Sequence, residues 1–396
     1  MNLINDIKQE LKEILLSALG KAVSNNQLSN EPIPNFTIEI PGDVKNGDFA
    51  TNIAMVSAKA FKLAPRKIAE IIVENIDLAS SNFDKVEIAG PGFINLFLKQ
   101  EWFNLVVKSV HQMGDEYGKT NYGQNKKYMV EFVSANPTGP MHIGNARGGA
   151  IGDCLASVLN WAGYDVTKEF YVNDAGNQIE KFAMSLEKRY LQIYKEGIEF
   201  PQDAYQGEDI KVLAQKFADI HGDKYVNNSD ELKQDIVNFA LPINIQALKD
   251  DLARYRINYD VWFFESQLHK EKAIEKCIDI LKDKGLTYEQ DGALFYKASE
   301  FGGEKDEVLV RANGIPTYFA ADIAYHYNKF AVRGFDKVIN VWGADHHGHV
   351  ARLKGAMDAI GLEGNKLDIV LMQLVNLIRD GKPVRVSKRS GKSITL

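Results

Sequence analysis

The chain has 396 residues, enough for two or three domains that each bury a core. With 45% hydrophobic and 25% charged residues its composition is that of an ordinary globular protein, which excludes a disordered chain. A formal net charge of −6 and only two cysteines exclude a globally basic nucleic-acid binder, a disulfide framework and a cysteine-built structural zinc site.

The N-terminal stretch MNLINDIKQELKEILLSALG mixes acidic residues with apolar ones at helical spacing, unlike a signal or transit peptide. No apolar run reaches the ~20 residues of a membrane helix. A cytoplasmic protein without a membrane partner is therefore expected. Residues 1–113 read as one small α+β domain: the first helix, a strand at FTIEI, a helix over FATNIAMVSAKAF and a helix at RKIAEIIVENI. A strand pair around KVEIAGPGFINLFL follows. A last helix carries Trp102, Phe103, Val106, Val107 and Val110 as one stripe. The polar, Gly-rich residues 114–126 read as a linker.

From Lys127 the pattern changes. YMVEFV is an apolar run expected of a strand buried on both faces. A glycine-rich turn, the helix AIGDCLASVLNWAG and the strand YDVTKEFYV follow, so that residues 127–396 open with a β-α-β unit of a doubly wound parallel sheet. Residues 175–290 are charged and read as a mostly helical insertion. Strand and helix signals resume at EVLVRA, TYFAADIAYHYNKF and KVINVWGADHHGHVARLKGAMDAIG. Both cysteines lie on apolar helical stripes and are expected in cores: Cys154 with Ile151, Leu155 and Val158, Cys277 with Ile274, Ile278 and Leu281.

Four constellations could carry chemistry. The turn SANPTGPMHIGNARGGAIGD lacks the Lys-Ser/Thr of a P-loop and the G-x-G-x-x-G of a dinucleotide fingerprint. It lies at a strand's carboxyl end before a helix N-terminus, a place suited to anions. Gly144 would admit a flat base or a phosphate, and His142 could donate to phosphate oxygen. Spacing alone leaves a structural β-α turn open as well. RVSKRSGKS, residues 385–393, is dense in cations and small residues, as in a loop closing on phosphates or a solvated basic tail. Glu131 interrupts a buried strand and Asp322 an apolar helix. Bare burial of a carboxylate costs several kcal/mol, so each either pairs internally, for example with Arg311 or Lys127, or awaits a cationic ligand. GADHHGH, residues 343–349, offers three histidines, but neighbours in one turn seldom converge on one metal, and ligand contact is the favoured reading over zinc.

Together these blocks resemble the arginyl-tRNA synthetase family of class I aminoacyl-tRNA synthetases. ANPTGPMHIGN resembles the family's HIGH signature and VSKRSG its KMSKS loop. VEFVSANPTGP, YVNDAGNQI, LVRANGIPTYFAADIAYH and VWGADHHGHVARLKG are similar to its other blocks, and GDFATNIAM and GPGFINLFL to its tRNA-contacting N-terminal domain. The resemblance implies a Rossmann-like doubly wound catalytic domain and an arginine-tRNA ligase. Arginine and ATP, with Mg2+ and no structural metal, would form arginyl-adenylate, and the arginyl group would pass to the 3′ end of its tRNA. His142, Asn145 and Lys388 would be catalytic. ATP would meet these three with Gly144, Asp345, His346 and Ser387. Arginine would meet Glu131, Ser134, Asn136, Tyr318 and Asp322, and tRNA would meet Asn95. Asn145 stands where the signature has its second histidine, and Arg385 and Val386 replace the first two residues of KMSKS. A monomer is expected. Since the family continues into a helical anticodon-binding domain, a truncated form lacking that domain is the expectation. Another class I synthetase and a non-catalytic tRNA-binding relative are the alternatives.

Overall fold

The computed structural model describes residues 3–373, 375, 377–379, 381–384, 395 and 396. It divides into two compact units, Met1–Thr120 and Asn121–Leu396.

The first unit runs α1 (Leu3–Ser24), β1 (Ile38–Glu39), β2 (Phe49–Thr51), α2 (Ile53–Phe61), α3 (Pro65–Asn75), β3 (Phe83–Ala89), β4 (Phe93–Leu98) and α4 (Gln100–Met113). Its four strands form an antiparallel sheet in the order β1-β2-β4-β3. The i, i+4 stripe of α1, with Ile7, Leu11, Leu15 and Leu19, shares one apolar core with Phe49, Phe83, Ile94 and Leu96 of the sheet. Two sequence expectations change here. The helix expected from Phe49 starts only at Ile53, because Phe49, Ala50 and Thr51 pair with Leu96, Asn95 and Ile94 of β4; cross-strand pairing of an aromatic and a β-branched residue outweighs helical spacing. On α4, Trp102 is buried and Val106 packs against the core, but Phe103, Val107 and Val110 are exposed.

The second unit runs β5 (Lys127–Glu131), α5 (Ile143–Trp161), β6 (Asp165–Val172), α6 (Asn177–Tyr194), α7 (Glu208–His221), α8 (Ser229–Arg254), β7 (Val261–Phe264), α9 (Glu265–Lys270) and α10 (Ala273–Asp283). Then come β8 (Thr287–Gln290), β9 (Ala293–Tyr296), β10 (Glu307–Val310), α11 (Tyr318–Tyr327), β11 (Lys337–Gly343), α12 (His347–Ala359), β12 (Leu367–Met372), β13 (Leu377–Arg379) and β14 (Lys382–Val384). A five-stranded sheet, ordered β12-β11-β5-β6-β7 and parallel throughout, forms its centre. β8, β9 and β10 make a small antiparallel sheet. Helices α6, α7 and α8 close around a core of their own, with Phe182, Tyr190, Phe217 and Ile236. The region expected as a helical insertion therefore yields one strand to the main sheet: Val261–Phe264 pairs with β6.

Helix α5 packs through glycine. Gly148, Gly149, Gly152 and Ala156 form its buried face, and a methyl group on Gly152 would come within 2.1 Å of the Phe132 ring. The large apolar side chains consequently do not mark the inward face. Cys154 is exposed, not in the core as its stripe suggested, whereas Cys277 is buried as expected. Among the described residues no helix is long and apolar enough to cross a membrane.

Candidate active site

Strand order reverses between β5 and β11: the chain continues from β5 to β6 and β7 on one side and to β11 and β12 on the other. Ligands of open parallel sheets bind in the crevice at such a switch point, beyond the strands' carboxyl ends. The turn with His142 leaves β5 there, and the turn with Asp345 and His346 leaves β11.

Backbone strain marks the start of the first turn. Val133 and Ser134 have φ of 67° and 41°, a left-handed conformation that a β-branched residue rarely adopts and that costs on the order of 1–3 kcal/mol. Hydrogen bonds hold it. Ser134 Oγ donates to Glu131 Oε1 at 2.9 Å and accepts from the Tyr171 N–H at 3.1 Å. Tyr259 donates its hydroxyl to the Phe132 carbonyl at 2.9 Å. At the other end of the turn Asn145 Oδ1 accepts the His142 N–H at 3.0 Å, capping α5 back onto its own entry. A methyl group on Gly144 would lie 2.9 Å from His142 Nδ1, so this glycine makes room for the imidazole over the first helical turn. Thr395 bridges His142 as an antiparallel pair, and the Leu396 N–H donates to the Met141 carbonyl at 3.0 Å.

A row of buried polar residues crosses the sheet. Asn340 of β11, Glu131 of β5 and Glu169 of β6 are register partners, and all three are buried. Helix α11 and the single π turn Asn328–Val332 that extends it supply the counter-groups. Lys329 Nζ donates to Glu131 Oε2 at 2.6 Å and to Asn340 Oδ1 at 3.1 Å. Arg333 grips Glu169 with both terminal nitrogens, one at 2.9 Å, and the Tyr325 hydroxyl donates to the same carboxylate. The partner of Glu131 is thus Lys329, not Lys127 or Arg311. Both its oxygens are occupied, so in this arrangement it serves the scaffold. His326 completes the row: Asn340 Nδ2 donates to Nε2 at 2.9 Å and the ring's Nδ1 lies 2.8 Å from the Asp322 carbonyl. With Nε2 accepting, Nδ1 carries the proton. Burial, then the Lys329 charge, hold its pKa well below the ordinary histidine value.

These pairs fix the opposite end of α11, where Tyr318 and Asp322 sit. Tyr318 borders a cavity of about 590 Å³ between the starts of α6 and α9 and the 311–317 loop, which Glu265 also lines. Glu265 accepts the Tyr171 hydroxyl at 2.9 Å, and burial pushes its carboxyl above the usual range. Burial, then the charges of Glu265, Asp322 and Glu131, raise the Tyr171 phenol, so the three carboxylates act on one place. Among the described residues neither Asp322 nor Glu265 pairs with lysine or arginine. Asp322 Oδ2 lies 2.8 Å from His349 Nε2, and Glu265 Oε1 lies 3.7 Å from His269 Nε2.

The structure therefore gathers Tyr318 and Asp322, and adds Glu265, Lys329 and Tyr171, which the sequence reading missed. The signal for Glu265 was present as a carboxylate directly after the apolar run VWFF. Asn136 is half-buried in the turn, and Asp345 and His346 are exposed after β11, His346 lying against Trp342 with ring centroids 5.8 Å apart. Asn95 belongs to the other unit, on β4, and at 4% exposure presents little surface to an RNA. Ser387 and Lys388 lie outside the described residues. Among the described residues no group of three or more His, Cys, Asp or Glu is placed to hold a metal ion.

A parallel sheet with a histidine-bearing turn at its switch point is the architecture of class I aminoacyl-tRNA synthetases, and residues 106–396 match the family described as tRNA synthetases class I (R), catalytic domain. Residues 2–98 match the arginyl tRNA synthetase N terminal domain. The chain belongs to the arginyl-tRNA synthetase family, the arginine–tRNA ligases. Curated arginine–tRNA ligases of Caldanaerobacter subterraneus subsp. tengcongensis and Ruminiclostridium cellulolyticum are both 55% identical to it across the whole chain. The chain spans about 70% of their length. The solved arginyl-tRNA synthetase of Thermus thermophilus shares the fold, with a TM-score of 0.59 at 19% identity, over 92% of this chain and 65% of that one. ATP is the nucleotide that this class of ligase uses, and arginine and tRNA are its other substrates.

Proposed function

We propose that this chain activates arginine with ATP at the β5–β11 crevice, releasing pyrophosphate, and that the arginyl group then passes to the 3′ end of the cognate tRNA. One observation carries the assignment of the amino acid. Asp322 and Glu265 are two carboxylates near Tyr318 that, among the described residues, have no lysine or arginine partner, and Glu265 shares its cavity with Glu180 and Arg311. A guanidinium is planar, permanently charged and rich in donors, and suits two carboxylates and a phenol. Ser134 and Asn136 border the same turn, and Glu131 supports it from beneath.

Adenylation displaces pyrophosphate at the α-phosphorus, so positioning and charge stabilisation suffice without a protein nucleophile. ATP enters as its Mg2+ complex, as substrate. In this proposal His142 and the N-terminus of α5 meet its phosphates, Gly144 gives the His142 ring its place beside the nucleotide, and Asn145 keeps the turn in shape. Asp345 and His346 border the nucleotide from the neighbouring strand. Ser387 and Lys388 belong to the segment between Val384 and Thr395, and Lys388 is proposed to meet the departing pyrophosphate. The same reading places the protein in the cytoplasm, acting as a monomer on tRNA.

Calorimetry on Asp322→Asn tests it. Loss of a charged hydrogen-bond partner should weaken arginine binding roughly 10- to 100-fold and leave ATP binding unchanged. Unaltered arginine affinity would refute the guanidinium assignment. Arginine-dependent ATP–pyrophosphate exchange, with and without tRNA, checks the reaction itself.

A further inference from the structure

His349 lies on α12, outside the turn that carries Asp345 and His346, yet its ring touches Asp322. Its Nε2 is 2.8 Å from Asp322 Oδ2, and its Nδ1 accepts from Arg352 Nε at 2.8 Å. Arg352 in turn donates to Glu307 Oε1 at 2.8 Å through a terminal nitrogen. The Phe319 ring stands edge-on to the imidazole at 5.8 Å and Trp342 flanks it at 5.5 Å. The ring is thus held in plane by two aromatics and at both nitrogens by hydrogen bonds.

This chain of contacts determines where the imidazole proton is. An arginine Nε–H is always a donor, so Nδ1 of His349 must accept and carries no proton. The single proton of the neutral ring then sits on Nε2 and is donated to Asp322. We infer that His349 is a positioning residue for arginine recognition: a neutral Nε2–H tautomer, imposed by Arg352 and Glu307, that aims the Asp322 carboxylate without cancelling its charge. A lysine or arginine at this point would orient the carboxylate equally well and neutralise it. Protonation of Nδ1 would set it donor to donor against Arg352. The neutral histidine leaves Asp322 Oδ1 and a full negative charge for the incoming guanidinium. His326, one turn further along the same helix, is fixed as the opposite tautomer, so the backbone and the side chain of Asp322 are each held by a neutral imidazole.

The inference rests on Asp322 receiving the guanidinium, and the test separates the two claims. Arginine and ATP affinities are measured by calorimetry on the full chain for His349→Phe, His349→Gln, Asp322→Asn and the Asp322→Asn/His349→Phe double variant. His349→Phe should weaken arginine roughly 10- to 100-fold with ATP unchanged. His349→Gln, whose amide N–H replaces Nε2–H, should restore most of that loss, and His349→Phe should add nothing in the Asp322→Asn background. Wild-type arginine affinity in His349→Phe, or no recovery in His349→Gln, overturns the positioning role. Undiminished affinity in Asp322→Asn overturns the guanidinium assignment beneath it. Should His349→Phe not fold, nitrogen-15 NMR of the wild-type chain decides independently: His349 should show a protonated Nε2 and a bare Nδ1, and a proton on Nδ1 refutes the mechanism.

Discussion

The first unit closes its core with apolar side chains, and the buried polar residues among its described ones, Thr51, Ser57 and Asn95, carry no charge. The second unit, by contrast, buries Glu131, Glu169, Glu187, Glu265, His326 and Lys329 among its described residues. Hydrophobic burial stabilises whichever way side chains settle, within the limits of packing. A buried ion pair gains little over an apolar pair of the same volume, but it penalises every arrangement in which the partners miss. The two units therefore solve different problems. One has to be folded, and the other has to hold α11 in a single register so that Tyr318 and Asp322 arrive in one place.

The contrast is sharpest at Lys329. Lys329→Met leaves Glu131 in the interior without its cation, and should cost about 3–5 kcal/mol. Differential scanning calorimetry reads it as a large drop in the melting temperature of the second unit. A loss under about 1 kcal/mol would remove the distinction between the units. The next effect is a pH dependence that His326 gives the second unit. The folded pKa of His326 is depressed from 6.5, so the unfolded chain binds more protons below that value. Stability is therefore retained above about pH 6.5 and falls below it by about 1.4 kcal/mol per pH unit, until the folded pKa is reached. Urea unfolding of wild type and His326→Gln at pH 7.0 and 5.5 should show this slope in the wild type only. Parallel profiles would show that His326 does not titrate as its burial requires. The smallest change belongs to the apolar unit: Ile68→Val, in the α3 face of the first core, should cost about 0.5–1.5 kcal/mol at any of these pH values.

Much of the architecture is legible in the sequence because its elements obey local rules. β5 is an apolar run, α5 begins after a histidine with asparagine three residues on, and Asp322 stands out in an otherwise apolar helix. What escaped has physical causes. Apolar periodicity gives no weight to glycine, so the true face of α5 was missed and Cys154 was turned inward. Val261–Phe264 is four residues of strand between charged helices, too short to show a period. Glu265 opens a helix, where an acidic residue is commonplace, and only its position in the folded chain reveals a carboxylate lining a cavity. The partner of Glu131 lies 198 residues away, and no local pattern announces such a pairing.

The π turn at Asn328–Val332 explains that last omission and has a consequence for variation. A helical wheel drawn through it is out of phase beyond Tyr327, because five residues span what four would in an α-helix. The quantity under constraint there is residue count as much as residue type. Val332 is 66% exposed and should accept almost any side chain, yet deleting it would rotate everything that follows by about 100° and take Arg333 off Glu169. Libraries that scan this segment by substitution alone would score it as tolerant, while a library of single-residue deletions would find it among the least forgiving stretches of the chain.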